Sequence, residues 1–216
     1  MRHSIVRCLV LAAVLLSSFP APAHAAMGAG FWRWWDSLSG PGPFQGAAFD
    51  ADIVCIGDNV FRDKPDRVSL LDCWQVEQKL HLSLGTDIGV LRGRNNLDPQ
   101  GSSVTALPVF GAARVGNHKF DAGVDIGFIH FSAENAGANV FAWGPRLTIR
   151  PFAFLSERPV ARVVNVRWFA TNVPGTLTGA DFGVPTSTWT GGNEWLEHGF
   201  AITIDLSVLR PSVRSR

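Results

Sequence analysis

The chain contains no tyrosine, only three cysteines and almost no net charge, +1 over 216 residues. Each shortage excludes something. The near balance of charge, with no long basic run, gives no electrostatic basis for nucleic-acid binding. Cys8, Cys55 and Cys73 are too few for a structural zinc site, and no histidine stands near Cys55 and Cys73 at ligand spacing. Asp58, Asn59, Asp63 and Asp66 cluster but lack the spaced ligand set of a calcium loop, and there is no phosphate-binding glycine loop. No metal or cofactor is therefore expected. No stretch reaches the roughly 18 uninterrupted apolar residues of a membrane helix. A spanning structure, if there is one, must be made of strands.

What is present begins with an export signal. Arg2 and Arg7 supply the basic start, Leu9–Leu16 the apolar run, and Ala23-His24-Ala25 an A-x-A cleavage site. Cleavage after Ala25 is expected, and Cys8 leaves with the signal. With Arg2 and Arg7 gone, acidic residues exceed basic ones by one. The remaining pair, Cys55 and Cys73, is most simply a disulfide in an exported protein. It would close a loop of roughly 18 residues, worth about 3 kcal/mol in the chain-entropy account.

The clearest structural signal lies between His118 and Phe131. Phe120, Ala122, Val124, Ile126 and Phe128 alternate with Asp121, Gly123, Asp125 and Gly127. Side chains alternate across a strand, so one face is oily and the other small and acidic. The pattern recurs in 79–91, 104–115, 139–152, 160–171 and the segment ending at residue 209. Two further strands, 46–56 and, with weaker alternation, 67–78, bring the expected number to eight. Residues 30–38 carry Phe31, Trp32, Trp35 and Leu38 at the spacing of one helical face, so a short amphipathic helix is expected there. The alternating glycines and prolines of 40–43 then form a joint to the first strand.

The expected fold is all-β: a closed antiparallel up-and-down transmembrane barrel of about eight strands with a short N-terminal aromatic helix. The divisions are a signal peptide over 1–25, helix and joint over 26–45, barrel over 46–209 and a tail over 210–216. In a bilayer the oily face meets lipid and the polar face lines the lumen. Short connections at 116–117, 153–159 and near Gln78 would lie in the periplasm, and longer ones at 57–66, 92–103, 132–138 and 172–195 outside. Without tyrosine, tryptophans must supply the interfacial girdle, with Trp32, Trp35, Trp143 and Trp168 the candidates.

On this pattern the chain resembles the small eight-stranded outer-membrane β-barrel proteins of Gram-negative bacteria. The Trp-rich stretch followed by Leu38-Ser39-Gly40-Pro41-Gly42-Pro43-Phe44 looks like one found in exported barrels without an assigned activity. The resemblance implies residence in the outer membrane, with its lipid as the surrounding partner. It departs at the C-terminus, which runs on as Arg-Pro-Ser-Val-Arg-Ser-Arg where many such barrels end on an aromatic residue.

Two sets of residues could carry chemistry. The inward set is charged: Asp87, Asp121, Asp125 and Asp205 against Lys79, Arg114, Arg146, Arg150 and Arg167. Buried charges must pair, so a salt-bridge network plugging the narrow lumen is the preferred reading over a polar ligand path. The other set is His130, Ser132 and Glu134. Residues two apart on a strand share a face, here the outer one, and a histidine can activate a serine hydroxyl. The pair is similar to the His-x-Ser of the outer-membrane lipid A 3-O-deacylases. That resemblance would make His130 the base, Ser132 the nucleophile and Glu134 the orienting acid. His81-Leu82-Ser83 repeats the spacing on the inward face.

Three roles remain. The first is a non-enzymatic barrel acting through its loops. The second is a lipid A acyl-ester hydrolase. The third is a soluble periplasmic lipocalin-like binder of an apolar ligand, with the faces inverted and Leu80, Val124 and Ile204 inside.

Overall fold

The structure is a computed structural model, and it describes residues 27–36, 41–56, 80–156, 159–186 and 190–205. Eight strands form one closed antiparallel barrel. In chain order they are β1 (Met27–Asp36), β2 (Phe44–Ile56), β3 (His81–Arg94), β4 (Ser103–Gly116), β5 (Phe120–Ser132), β6 (Gly137–Ile149), β7 (Val164–Thr178) and β8 (Thr190–Asp205). Each pairs with the next, and β1 closes the ring on β8 from Gly28↔Asp205 to Asp36↔Glu197. The strand number and all-β class match the expectation, but the composition of the ring does not.

The aromatic segment is the closing strand and not a helix. Trp32 and Trp34 point into the lumen at 3% and 0% exposure, while Phe31 faces outward at 41%. The physical reason is that a run of aromatics fills a helical face and a strand with equal ease, and here ring closure supplies two ladders of hydrogen bonds. The expected strand over 67–78 has no place between its neighbours. β2 pairs directly with β3, from Gln45↔Arg92 to Ile56↔Leu82. That segment, the signal peptide and the C-terminal tail lie outside the described residues.

The two barrel ends are now defined by topology. β2 ends and β3 begins beside the 117–119 turn, so the 57–80 connection belongs to that end, together with 150–163. The connections 37–43, 95–102, 133–136 and 179–189 share the other end. The expected grouping of 57–66 with 92–103 is therefore corrected, and so is the neat division into short and long loops. Both described ends of the chain, Met27 and Asp205, also lie at the 117–119 end. For convenience this is the lower end.

The faces are as expected. Outward positions on every strand carry large apolar side chains, among them Phe49, Ile88, Val109, Phe128, Leu147, Trp168 and Ile204. The inverted arrangement is excluded: Leu80 and Ile204 are 51% and 47% exposed, whereas Asp87 and Asp121 are 0% and 2%.

The lumen is divided along its axis. Charged and polar residues fill the lower half. An aromatic and aliphatic cluster fills the upper half, with Trp32, Trp34, Phe44, Leu91, Phe110, Ile129, Phe131 and Phe169 at its centre. The rings meet at mixed angles: Trp34 lies 6.3 Å from Phe44 and 6.1 Å from Phe169, both edge-on. Such geometry adds favourable quadrupole contacts to simple burial. Phe182, from the 3-10 helix Gly179–Phe182, covers this cluster and packs edge-on against Phe131 at 5.5 Å. Its carbonyl accepts a 2.9 Å hydrogen bond from the buried Asn95 amide, tying the β7–β8 connection to the β3–β4 loop.

Candidate functional site

The lower lumen is organised around Asp87, midway along β3 and fully buried. Three arginines converge on it. Arg146 of β6 donates to it through Nη1, Arg167 of β7 donates through Nη1 at 2.9 Å, and the Arg114 guanidinium of β4 stands 3.6 Å away. Each arginine holds a second carboxylate. Arg146 reaches Asp125 at 2.9 Å, Arg167 reaches Asp50 at 2.9 Å, and Arg114 reaches Asp52 at 2.7 Å. Nearer the 117–119 turn, Arg150 pairs with Asp121 at 3.0 Å and donates to the Asn117 carbonyl at 2.9 Å.

The alternation of β2 to β7 puts all these groups on one lumen. Planar guanidiniums suit the task, because one fork can engage carboxylates from two different strands. The expected inward set is thus brought together, with Asp87, Asp121, Asp125, Arg114, Arg146, Arg150 and Arg167 all in the network and Asp205 buried on the same face. Lys79 lies outside the described residues. Asp50 and Asp52 were missed by sequence reasoning. Their signal was available, since they alternate with Phe49, Ala51 and Ile53.

The network is not fully satisfied by protein atoms. Nε and Nη2 of Arg146, Nε of Arg114, Oγ1 of Thr148 and Oδ1 of Asn165 are buried without a hydrogen-bond partner. They belong to residues lining a polar recess at the lower end, of about 340 Å³ counted to its open mouth. A recess of this polarity is one that water can enter to satisfy such groups. Above it, among the described residues, the lumen is filled by apolar side chains, with Trp34, Leu91 and Val104 each 0% exposed. The plug is therefore double, charged below and aromatic above, where sequence reasoning anticipated charge alone.

The His130 set sits elsewhere. His130 and Ser132 are on the outward face of β5 near its upper end. The His130 ring donates through Nδ1–H to Oδ1 of Asn139, 2.7 Å away and directly opposite on β6. Glu134 is exposed in the 133–136 turn. The ring's observed partner is an amide on the next strand and not the expected carboxylate. Sequence reasoning looked for an acid there and passed over Asn139. On the lower lumen face, His81 and Ser83 are both buried.

Of the expected girdle residues, Trp143 and Trp168 are on the outer face at 38% and 46% exposure. Trp32 is a lumen residue, because the strand register turns it inward. The Trp35 side chain lies outside the described residues, as does Cys73, while Cys55 is buried on β2. No family model matches the chain, and no match is found among curated proteins.

Proposed function

We propose that this chain is an integral outer-membrane β-barrel of a Gram-negative bacterium, closed to solute flow, with a structural or surface-interaction role. The observation that carries the reading is the outer face: large apolar residues stand exposed on every strand while the charges are turned inward. A soluble monomer rarely exposes a contiguous apolar patch of more than a few hundred Å². Lipid is the solvent that favours such a belt. The interaction surface would be the loop set 95–102, 133–136 and 179–189, with the 57–80 connection on the opposite side of the membrane. Export by the N-terminal signal and a Cys55–Cys73 disulfide fit the same compartment. The test is membrane fractionation with heat-modifiability of the mature protein. A band in the outer-membrane fraction that changes mobility on boiling supports the reading; a soluble band without a shift removes it.

A second reading, hydrolysis of an acyl ester in the outer leaflet, is favoured by one observation, the hydrogen bond between His130 and Asn139. An amide can orient a catalytic imidazole as a carboxylate does. His130 would take the Ser132 hydroxyl proton as Oγ attacks the ester carbonyl and pass it to the alcohol oxygen as that C–O bond breaks, and water, deprotonated by His130, would then hydrolyse the acyl-serine to a free fatty acid. Mass analysis of lipid A from cells carrying the protein or its Ser132→Ala variant decides: identical spectra end this reading.

A further inference from the structure

The ring is closed, but one of its seams is zipped only part of the way. β6 pairs with β5 along its whole length, from Phe120↔Ile149 to Ser132↔Gly137. With β7 it pairs only from Ile149↔Val166 up to Trp143↔Asn172. Above that point, among the described residues, 137–142 have no partner on β7. The upper part of β7 pairs with β8 alone, from Val173↔Glu194 to Thr178↔Thr190.

The sequence explains the gap. Continuing the same register would set Pro174 opposite Phe141, and Pro145 already lies opposite Ala170. Proline has no N–H to give a ladder. β7 also shifts register against β8 between Val173 and Thr176, so Pro174-Gly175 forms an irregularity that bends the strand. A side chain added at Gly175 would meet nothing within 4 Å. The slot is a feature of the strand chemistry and not of a missing segment.

We propose that this slot is a lateral entry by which one acyl chain of a membrane lipid reaches the apolar upper lumen. The inference rests on the outer-membrane reading above. Three observations select the occupant. The outer lip carries lipid-facing Phe141 and Trp143, both partly exposed. The wall inside is apolar, with Val173 and Leu177 in the buried cluster. At the foot of the slot lies a small cavity lined by outward Trp143, Gly144, Phe169 and lumen-facing Trp32, with Asp125 and Thr171 also on its wall. An unpaired strand edge in contact with lipid is costly, because hydrocarbon offers its N–H and C=O groups nothing. Beside Phe141 the outward positions of the open edges also include polar side chains, Asn172 and Thr176 on β7 and Asn139 on β6. The slot therefore places a lipid's polar oxygens against the open backbone edges and its chain against the aromatic tier. The entering chain displaces ring packing around Phe169 and needs no break in the paired part of the seam.

The experiment uses the native protein in vesicles of phospholipid bearing a diazirine at the end of one acyl chain, with adducts mapped by mass spectrometry after illumination. Adducts of intact lipid mass are expected on the outer belt, for example at Val109 and Ile126. They are also expected at Val173, Leu177, Phe169 or Trp32, at severalfold the yield found at Ala48 and Ala106, lumen residues far from the seam. Belt adducts with no enrichment at the slot overturn the proposal and leave the membrane reading standing. No belt adducts overturn both.

Discussion

Replacing Asp87 by asparagine keeps the shape of the side chain and removes the charge on which Arg114, Arg146 and Arg167 converge. Two charge-assisted hydrogen bonds are weakened, each worth about 1.5–3 kcal/mol. The loss is softened, because every one of these arginines keeps a second carboxylate, Asp52, Asp125 or Asp50. The net cost should fall at the lower edge of the ~3–5 kcal/mol seen when a buried pair is broken. About 3 kcal/mol corresponds to an unfolding constant raised roughly a hundredfold. Urea titration of the barrel in phospholipid vesicles, read as the folded and unfolded bands on an unheated gel, measures it. Asp121→Asn, which leaves only Arg150 without its 3.0 Å partner, should cost less than Asp87→Asn. A double-mutant cycle of Asp87→Asn with Arg146→Gln should show a coupling energy above about 1 kcal/mol. If Asp87→Asn lies within about 0.5 kcal/mol of the native protein, as surface changes do, and the cycle shows no coupling, the lumen charges are solvated individually and the network argument fails.

Trp34→Ala should cost about 3–5 kcal/mol in the same titration, since the ring is wholly buried among Trp32, Phe44 and Phe169 and the cavity left cannot collapse within a closed wall; a loss below 1 kcal/mol would mean the upper tier is loosely packed. Asp98 holds the 95–102 loop by accepting from the Gln100 and Ser102 amides at 2.9 and 3.1 Å, and the Ser102 side chain, with these two amides, lowers its pKa below the ordinary carboxylate value. A depressed pKa stabilises above the unfolded value, near 4, and that stabilisation is lost as pH falls through the folded one. Amide exchange at Gln100 and Ser102 should therefore accelerate, relative to neighbouring amides, at pH below about 4. The acceleration should be absent in Asp98→Asn, and an unchanged native profile would count against the capping role. For the cysteines, alkylation of the denatured, unreduced protein should leave Cys55 and Cys73 unmodified, and reduction should lower unfolding stability by about 3 kcal/mol; labelling before reduction refutes the bridge.

The sequence read well where one face was uniform. Along β5 the aspartates and glycines alternate with apolar residues from Phe120 to Phe128, and the structure keeps that register to Ser132. The charge network was legible for the same reason, because an arginine or aspartate on an otherwise oily strand can only point inward. Reading failed where both faces were aromatic. In Phe31-Trp32-Arg33-Trp34 a helical spacing and a strand alternation fit the same letters, and only ring closure, a non-local event, distinguishes them. The unzipped seam was hidden too. Pro145 and Pro174 are visible in the sequence, but that they fall on facing strands depends on the register. Loop length was the misleading signal. The 57–80 connection is long, yet strand order places it with the 117–119 turn.

The narrowness of an eight-stranded wall accounts for the glycines beside several large lumen residues. The interior of such a barrel is only wide enough for side chains to fill it, so a large group requires a small one across from it. A Cβ built on Gly93 would stand 2.7 Å from the Phe44 ring. One on Gly85 would stand 2.9 Å from the Asp52 carboxylate, and one on Gly89 would stand 3.1 Å from the Trp32 ring. The same arrangement thus serves both tiers: glycine makes room for carboxylates below and for rings above. The alternation of glycine with aspartate along β5 follows from this, since a strand of inward aspartates alone would crowd charges that, among the described residues, only Arg150 and the arginines of β4, β6 and β7 neutralise. The two tiers also explain each other. The aromatic tier seals the lumen from above and keeps the arginine–aspartate network in a low-dielectric setting where each pair counts. The network in turn holds β2 through β7 in register beneath a seam whose upper part is left open.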